Sequence, residues 1–260
     1  MGILNLTPDS FSGNDWGKTP ERFSEDVRMM LESGASCVDV GAESTRPGAA
    51  PVSPADEWAR LAPYVSHLRS SGLIKKISFD TRHPDTMLKV AAAGCFAINC
   101  VGEIPRAATL SELKRSNQDL RFIACHMRGT PETMQKTPLR AVEVMDDVLG
   151  YFKASMTALL NAGFRSESVW LDPGIGFGKT DAANTALILG ATKLRSSGKL
   201  VWGVSRKGFL GRAFGIPEAK SRDAVSKVLE SILALGGADM IRTHDVAGLH
   251  SALRALTAEA

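Results

Sequence analysis

Two aspartates, Asp80 and Asp172, an asparagine, Asn99, and three cations or donors, Lys207, Arg242 and His244, each follow a short apolar run. A carboxylate can accept two adjacent N–H groups in bidentate fashion, and an amide both donates and accepts. Asp80, Asp172 and Asn99 together therefore suit a flat heterocycle whose edge presents neighbouring donors and acceptors. Lys207, Arg242 and His244 add charge and donors for an anionic group on the same ligand. The segment DPGIGFGK at 172–179 is glycine-rich but has the spacing of neither a dinucleotide fingerprint nor a Walker loop, which argues against a nucleotide cofactor.

Positioning these groups requires a scaffold that gathers distant segments. Short β-branched or apolar runs at 3–6, 36–40, 76–79, 95–99, 120–125, 168–171, 200–204 and 238–241 alternate with amphipathic stretches. This is the pattern of eight βα units on a parallel sheet. Thr19 before Pro20 and Glu21, and Ser53 before Pro54 and Asp56, are helix-start signals. Trp58, Leu61, Val65 and Leu68 recur at helical spacing, and residues 142–161 predict the longest helix. Gly94 and Gly163 stand where a helix end wants a left-handed residue.

Eight units in 260 residues, with no linker or composition shift, match a single domain over 1–260: an α/β chain folded as a (β/α)₈ TIM barrel. A doubly wound open sheet is the competing reading. A barrel places chemistry at the carboxyl ends of its strands, and there the sequence is consistently polar. The groups are Asn5 with Thr7 and Asp9; Asp39 with Glu43, Thr45 and Arg46; Asp80; Asn99; His126 with Arg128; Asp172; Ser205 with Arg206 and Lys207; and Arg242 with His244. Any one of these reads equally well as a helix cap; eight together do not.

Composition sets the boundaries. The chain is 44% apolar and 23% charged, enough for a sizeable core, and its net charge of +3 comes from dispersed basic residues rather than a nucleic-acid-binding run. No apolar stretch approaches the ~20 residues of a membrane helix, and no signal-peptide pattern opens the sequence. Cys37, Cys95, Cys100 and Cys125 lie apart and read as reduced core thiols, so a cytoplasmic location is expected, with no nucleic-acid or membrane partner.

The segments NLTPDSF (5–11), ESTRPGA (43–49), FDT (79–81), LDPGIGFGK (171–179), SRK (205–207) and RTHD (242–245) resemble, in order, the signatures of the dihydropteroate synthases within the pterin-binding enzymes. The resemblance implies condensation of 6-hydroxymethyl-7,8-dihydropterin pyrophosphate with p-aminobenzoate, giving 7,8-dihydropteroate and pyrophosphate in folate biosynthesis. It implies a pterin pocket of Asp80, Asn99, Met127, Asp172, Phe177, Lys207 and Arg242, with Asp80, Asp172, Lys207 and Arg242 as catalytic residues. It implies p-aminobenzoate contacts from Phe11, Thr45, Arg46, Pro47, Ser205 and Lys207. Pyrophosphate would meet Asn5, Thr45, Arg242 and His244, and Asn5 would help place Mg²⁺. A homodimer and inhibition by sulfonamides are also implied. The leaving diphosphate departs from a methylene on an electron-rich ring, so the path is dissociative and needs no enzyme nucleophile.

Three departures stand out. Cys100 follows Asn99 where the family usually has an aspartate, removing a carboxylate near the pocket, with the thiol either packing or loosening the network that orients Asn99; Ser12 to Gly17 replaces the commoner first loop and brings in Trp16; and Ala42 precedes Glu43. Asp39 reads as an interior carboxylate supporting the loops. Trp58, Trp170 and Trp202 read as packing, His67, His83 and His250 as surface or cap residues, and His126 and Arg128 as either substrate contacts or loop supports. Two rivals remain at this level: a methyltetrahydrofolate corrinoid methyltransferase, which should not need Thr45-Arg46-Pro47 or Ser205-Arg206-Lys207, and a non-catalytic pterin-binding homologue.

Overall fold

Each strand is followed by at least one helix, and together they place eight strand ends side by side. The structure, a computed structural model, describes residues 1–7, 18–44 and 48–257. The strands are β1 (Gly2–Asn5), β2 (Val38–Gly41), β3 (Ile77–Asp80), β4 (Ala97–Val101), β5 (Arg121–Cys125), β6 (Val169–Asp172), β7 (Lys199–Trp202) and β8 (Met240–Ile241). The helices are α1 (Pro20–Glu32), α2 (Pro54–Ser70), α3 (Pro84–Ala92), α4 (Ala107–Ser116), α5 (Val144–Asn161), α6 (Asp181–Leu189), α7 (Ala191–Leu194), α8 (Gly208–Phe214), α9 (Asp223–Leu235) and α10 (Val246–Thr257).

The start signals act as expected. Thr19 Oγ1 accepts from the Arg22 amide at 3.3 Å and Ser53 Oγ from that of Asp56 at 3.1 Å, so each satisfies an amide the helix leaves unpaired. In α2, Leu61, Val65 and Leu68 are buried and Trp58 is half-buried. Helix α5 is the longest among the described residues, and Gly94 and Gly163 adopt positive φ after α3 and α5.

The strands pair in parallel in sequential order, β1 through β8. A doubly wound sheet reverses its order at a switch point, so that reading is set aside. The sheet curls until its ends approach: Gly2 bridges Thr243 in parallel, and the Thr243 amide donates to the Met1 carbonyl at 3.0 Å.

Alternation along the strands sorts residues between two faces. Val38, Val40, Ile77, Phe79, Ile98, Phe122, Leu171 and Trp202 join the main core, which the helices cover. Met1, Cys37, Ala97, Ile123, Trp170 and Val201 form a separate apolar cluster, inside the curl at the amino ends of the strands. Two residues further along β4, β5 and β6, the same face carries Asn99, Cys125 and Asp172.

Strand β8 is shorter than the 238–241 expected. Gly237, at φ 92°, ends α9, and the Ala238 amide still bonds back to Leu233 at 3.0 Å. Of the two outcomes open to Cys100, the structure shows packing. Asn99 and Val101 face the curl, whereas Cys100 lies in the main core with Sγ 3.4 Å from the Glu103 carbonyl. The lost carboxylate is therefore lost from the outer layer rather than from the pocket.

Candidate active site

At the carboxyl ends of the strands, one face of the sheet carries charge that burial would penalise unless paired. Asp39, fully buried on β2, is the hub. Its Oδ2 accepts from Arg242 Nε at 2.6 Å and from Asn99 Nδ2 at 3.0 Å. Arg242 also donates through Nη2 to Asp80 Oδ2 at 3.2 Å. Asp172 Oδ1 accepts from the Gly174 amide at 2.7 Å, and Lys207 Nζ stands 4.0 Å above the centre of the Phe177 ring. Asp80, Asn99, Asp172, Phe177, Lys207 and Arg242 line one narrow cavity with Val101, Cys125, Ile175 and Gly203.

The electrostatics are those of a site poised for a polar, charge-bearing guest. Burial, with Asp39 adding to it, pushes Asp80 up to about 7, against the pull of Arg242. Burial likewise raises Asp172 and lowers Lys207, which Arg242 pushes down further. Asn99 Oδ1 and Asp39 Oδ1 are buried without a hydrogen-bond partner. Buried polar atoms are ordinarily paired, so the Asn99 oxygen is an acceptor awaiting an N–H.

The chain matches the family described as pterin binding enzyme over residues 1–244. It belongs to the pterin-binding enzymes. Among its relatives is the dihydropteroate synthase of Neisseria meningitidis serogroup C, 36% identical over 259 residues that cover 98% of this chain and 90% of that one. Among solved structures, the Yersinia pestis dihydropteroate synthase with a sulfonamide drug complex superposes with a TM-score of 0.88 at 32% identity, covering 100% of this chain and 93% of that one. The Burkholderia cenocepacia dihydropteroate synthase complexed with 7,8-dihydropteroate does so with a TM-score of 0.84 at 33% identity, covering 100% and 90%.

In this pterin-binding enzyme the remaining site candidates take separate places. Met127 is half-buried outside the cavity lining, its methyl over Gly102. Asn5 ends β1, half-buried. Ser205 Oγ meets both the amide and Nδ1 of His244, at 3.2 and 3.0 Å. Between Ser205 and Lys207, Arg206 is the one non-glycine residue with positive φ among those described, at 57°. Its guanidinium grips Asp223 at 2.6 and 2.8 Å while Lys207 enters the cavity, so the tight turn sends neighbouring cations in different directions. Phe11, Thr45, Arg46 and Pro47 lie outside the described residues, as do Asp9 and Trp16.

Val101 and Gly203 were not singled out in the sequence and Cys125 was read only as a core thiol, yet period-two alternation from Asn99, Val201 and Ile123 points each into the cavity. His126 turns away from the cavity to Asp147 and Lys179. Glu43, Glu57 and His83 stand close enough to hold a cation. The two oxygens of Glu43, however, already face Val52 N, Arg82 Nε and Nη2, and His83 Nε2, which makes the cluster an anchor between the segments after β2 and β3.

Proposed function

We propose that this pterin-binding enzyme is a dihydropteroate synthase, joining 6-hydroxymethyl-7,8-dihydropterin pyrophosphate to p-aminobenzoate to give 7,8-dihydropteroate and pyrophosphate in folate biosynthesis. The observation that carries the reading is the unpaired Asn99 oxygen between buried Asp80 and Asp172, with Lys207 and Arg242 in the same cavity. A pterin edge supplies the N–H donors that these acceptors lack, and dispersal of Arg242 from Asp39 and Asp80 frees it to stack on the ring and meet the diphosphate.

The reaction asks for opposite environments at the two ends of the breaking bond. Asp80 and Asp172 stabilise the cationic pterin that forms as the C–O bond opens, while Arg242 and His244 receive the negative charge of the diphosphate. Lys207 and Phe177 hold the ring, and Ser205 and Lys207 lie beneath p-aminobenzoate, whose amine then attacks the methylene. The resemblance assigns Phe11, Thr45, Arg46 and Pro47, outside the described residues, to p-aminobenzoate as well. Asn5 offers a neutral, hard oxygen donor that fits Mg²⁺, an ion held largely through water and substrate phosphates; when bound it neutralises charge on the leaving group.

The bridge from Thr243, just past β8, to Gly2 of β1 supports a closed (β/α)₈ TIM barrel and a single domain over 1–260. Val228, Ile232 and Leu235 lie exposed at helical spacing on α9 and support a homodimer. Four buried free thiols, and the absence of any helix among the described residues long and apolar enough to cross a membrane, suit the cytoplasm. Sulfonamides, as mimics of p-aminobenzoate, are the expected inhibitors.

The test is pyrophosphate release from the pterin pyrophosphate with Mg²⁺, with and without p-aminobenzoate. Release that depends on p-aminobenzoate and yields dihydropteroate is expected; pterin binding without turnover would overturn the reading in favour of a non-catalytic homologue.

A further inference from the structure

The loop carrying Ile175 and Phe177 into the cavity is folded around a buried lysine. Lys179 is 3% exposed, and its Nζ lies 2.9 Å from the Gly174 carbonyl, 3.1 Å from that of Phe177 and 2.8 Å from His126 Nδ1. Three acceptors match the three protons of an ammonium. His126 Nε2 in turn lies 2.7 Å from Asp147 Oδ1, on α5. A carboxylate only accepts, so the ring proton sits on Nε2, and Nδ1 is left as an acceptor for Lys179. Burial and the charge of Lys179 lower His126 to about 4, in keeping with a neutral ring, while burial holds Lys179 itself down to about 7, so the ammonium is its form on the acid side of that value.

The loop is also tied elsewhere, with the Gly176 amide donating to Asn184 Oδ1 at 2.8 Å and the Gly178 carbonyl accepting from the Leu139 amide at 2.9 Å, and Lys179 adds a side chain that gathers two of its carbonyls. Gly174, Gly176 and Gly178 all have positive φ. A β-carbon at Gly174 would lie 1.7 Å from the His126 carbonyl oxygen, so the loop is pressed directly onto the end of β5. That contact aims the Gly174 amide at Asp172 Oδ1, at 2.7 Å.

We propose that Lys179 is a positioning residue: its ammonium, oriented by His126 and Asp147, clamps the 173–178 loop so that Phe177 closes the pterin cavity and the Gly174 amide fixes the Asp172 carboxylate. The proposal rests on the dihydropteroate synthase reading and adds to it three residues, none of which touches the cavity. Lys179 acts on the pterin half of the site and reaches the residues assigned to p-aminobenzoate only indirectly, through Phe177 and the Lys207 above it.

Steady-state kinetics of wild type, Lys179→Met, Asp147→Ala and Asp147→Asn test this, with titration of each by the pterin pyrophosphate. Lys179→Met should lower kcat/KM for the pterin on the order of a hundredfold while the KM for p-aminobenzoate holds. Asp147→Ala should move in the same direction by less, and Asp147→Asn, whose amide oxygen still accepts from Nε2, should restore most of the loss. Because Lys179→Met risks unfolding, ¹⁵N NMR of the wild-type His126 ring gives an independent reading: a neutral ring protonated on Nε2 is expected, and an imidazolium or an Nδ1–H ring overturns the clamp. A wild type that neither binds nor turns over the pterin defeats the enzyme reading. A wild type that does, with Lys179→Met and Asp147→Ala equal to it, defeats the clamp alone.

Discussion

The two ends of the same sheet face are built from opposite chemistry. At the amino ends, Cys37, Ala97, Ile123, Trp170 and Val201 fill the curl with apolar atoms. One strand repeat further, Asp39, Asp80, Asn99, Asp172 and Arg242 crowd charge and amide groups into a buried space and leave two oxygens unpaired. The first layer lowers the free energy of the fold; the second raises it and keeps binding capacity in reserve. Trp170 and Asp172, two residues apart on β6, are the sharpest expression of the contrast.

Exchanging the properties of the two layers should separate activity from stability. The largest effect is expected at Asp172: Asp172→Asn should lower turnover by about a thousandfold. The amide still accepts from Gly174, and burial disfavours the native charge, so the melting temperature should hold; near-normal turnover would break the assignment of this layer to catalysis. Trp170→Ala should do the reverse, costing about 3–5 kcal/mol in denaturant unfolding while kcat per folded molecule persists. An equal loss of kcat would show that the apolar layer is not merely structural. The smallest effect is in pH. Asp80 stands at about 7 and must be ionised to accept pterin N–H groups, so the neutral form that gains as pH falls through 7 binds poorly. The kcat/KM for the pterin should decline on the acid side of about 7, and Asp80→Asn should lack that limb.

The strands were legible because each apolar run ends in a polar group, and the first seven lie within about two residues of their expected places. The eighth is shorter because Gly236 and Gly237, just before the run, end α9 and leave the Ala238 amide bonded back to Leu233, a use that periodicity does not reveal. Within the site, Asp80, Asn99, Asp172 and Lys207 announced themselves by type, whereas Val101 and Cys125 are ordinary strand residues made special only by which face they occupy. Cys100 shows the same limit from the other side, since its neighbour Asn99 points inward and it does not. Lys179 was visible only as the end of a glycine-rich segment; its partner His126 and the Asp147 that bonds the other ring nitrogen lie well away in sequence, after β5 and on α5, and nothing local links them.

The four thiols have a use that their burial creates. Cys37 is held at about 11 and Cys100 at about 12 by burial, and Cys95 and Cys125 are raised as well, so none presents a thiolate to a reagent in the closed fold. They are distributed through the molecule: Cys37 in the apolar plug, Cys125 in the cavity wall, and Cys95 and Cys100 under the helices. Each is a silent alarm for its own district, and the order in which an alkylating agent finds them maps which parts of the architecture breathe first.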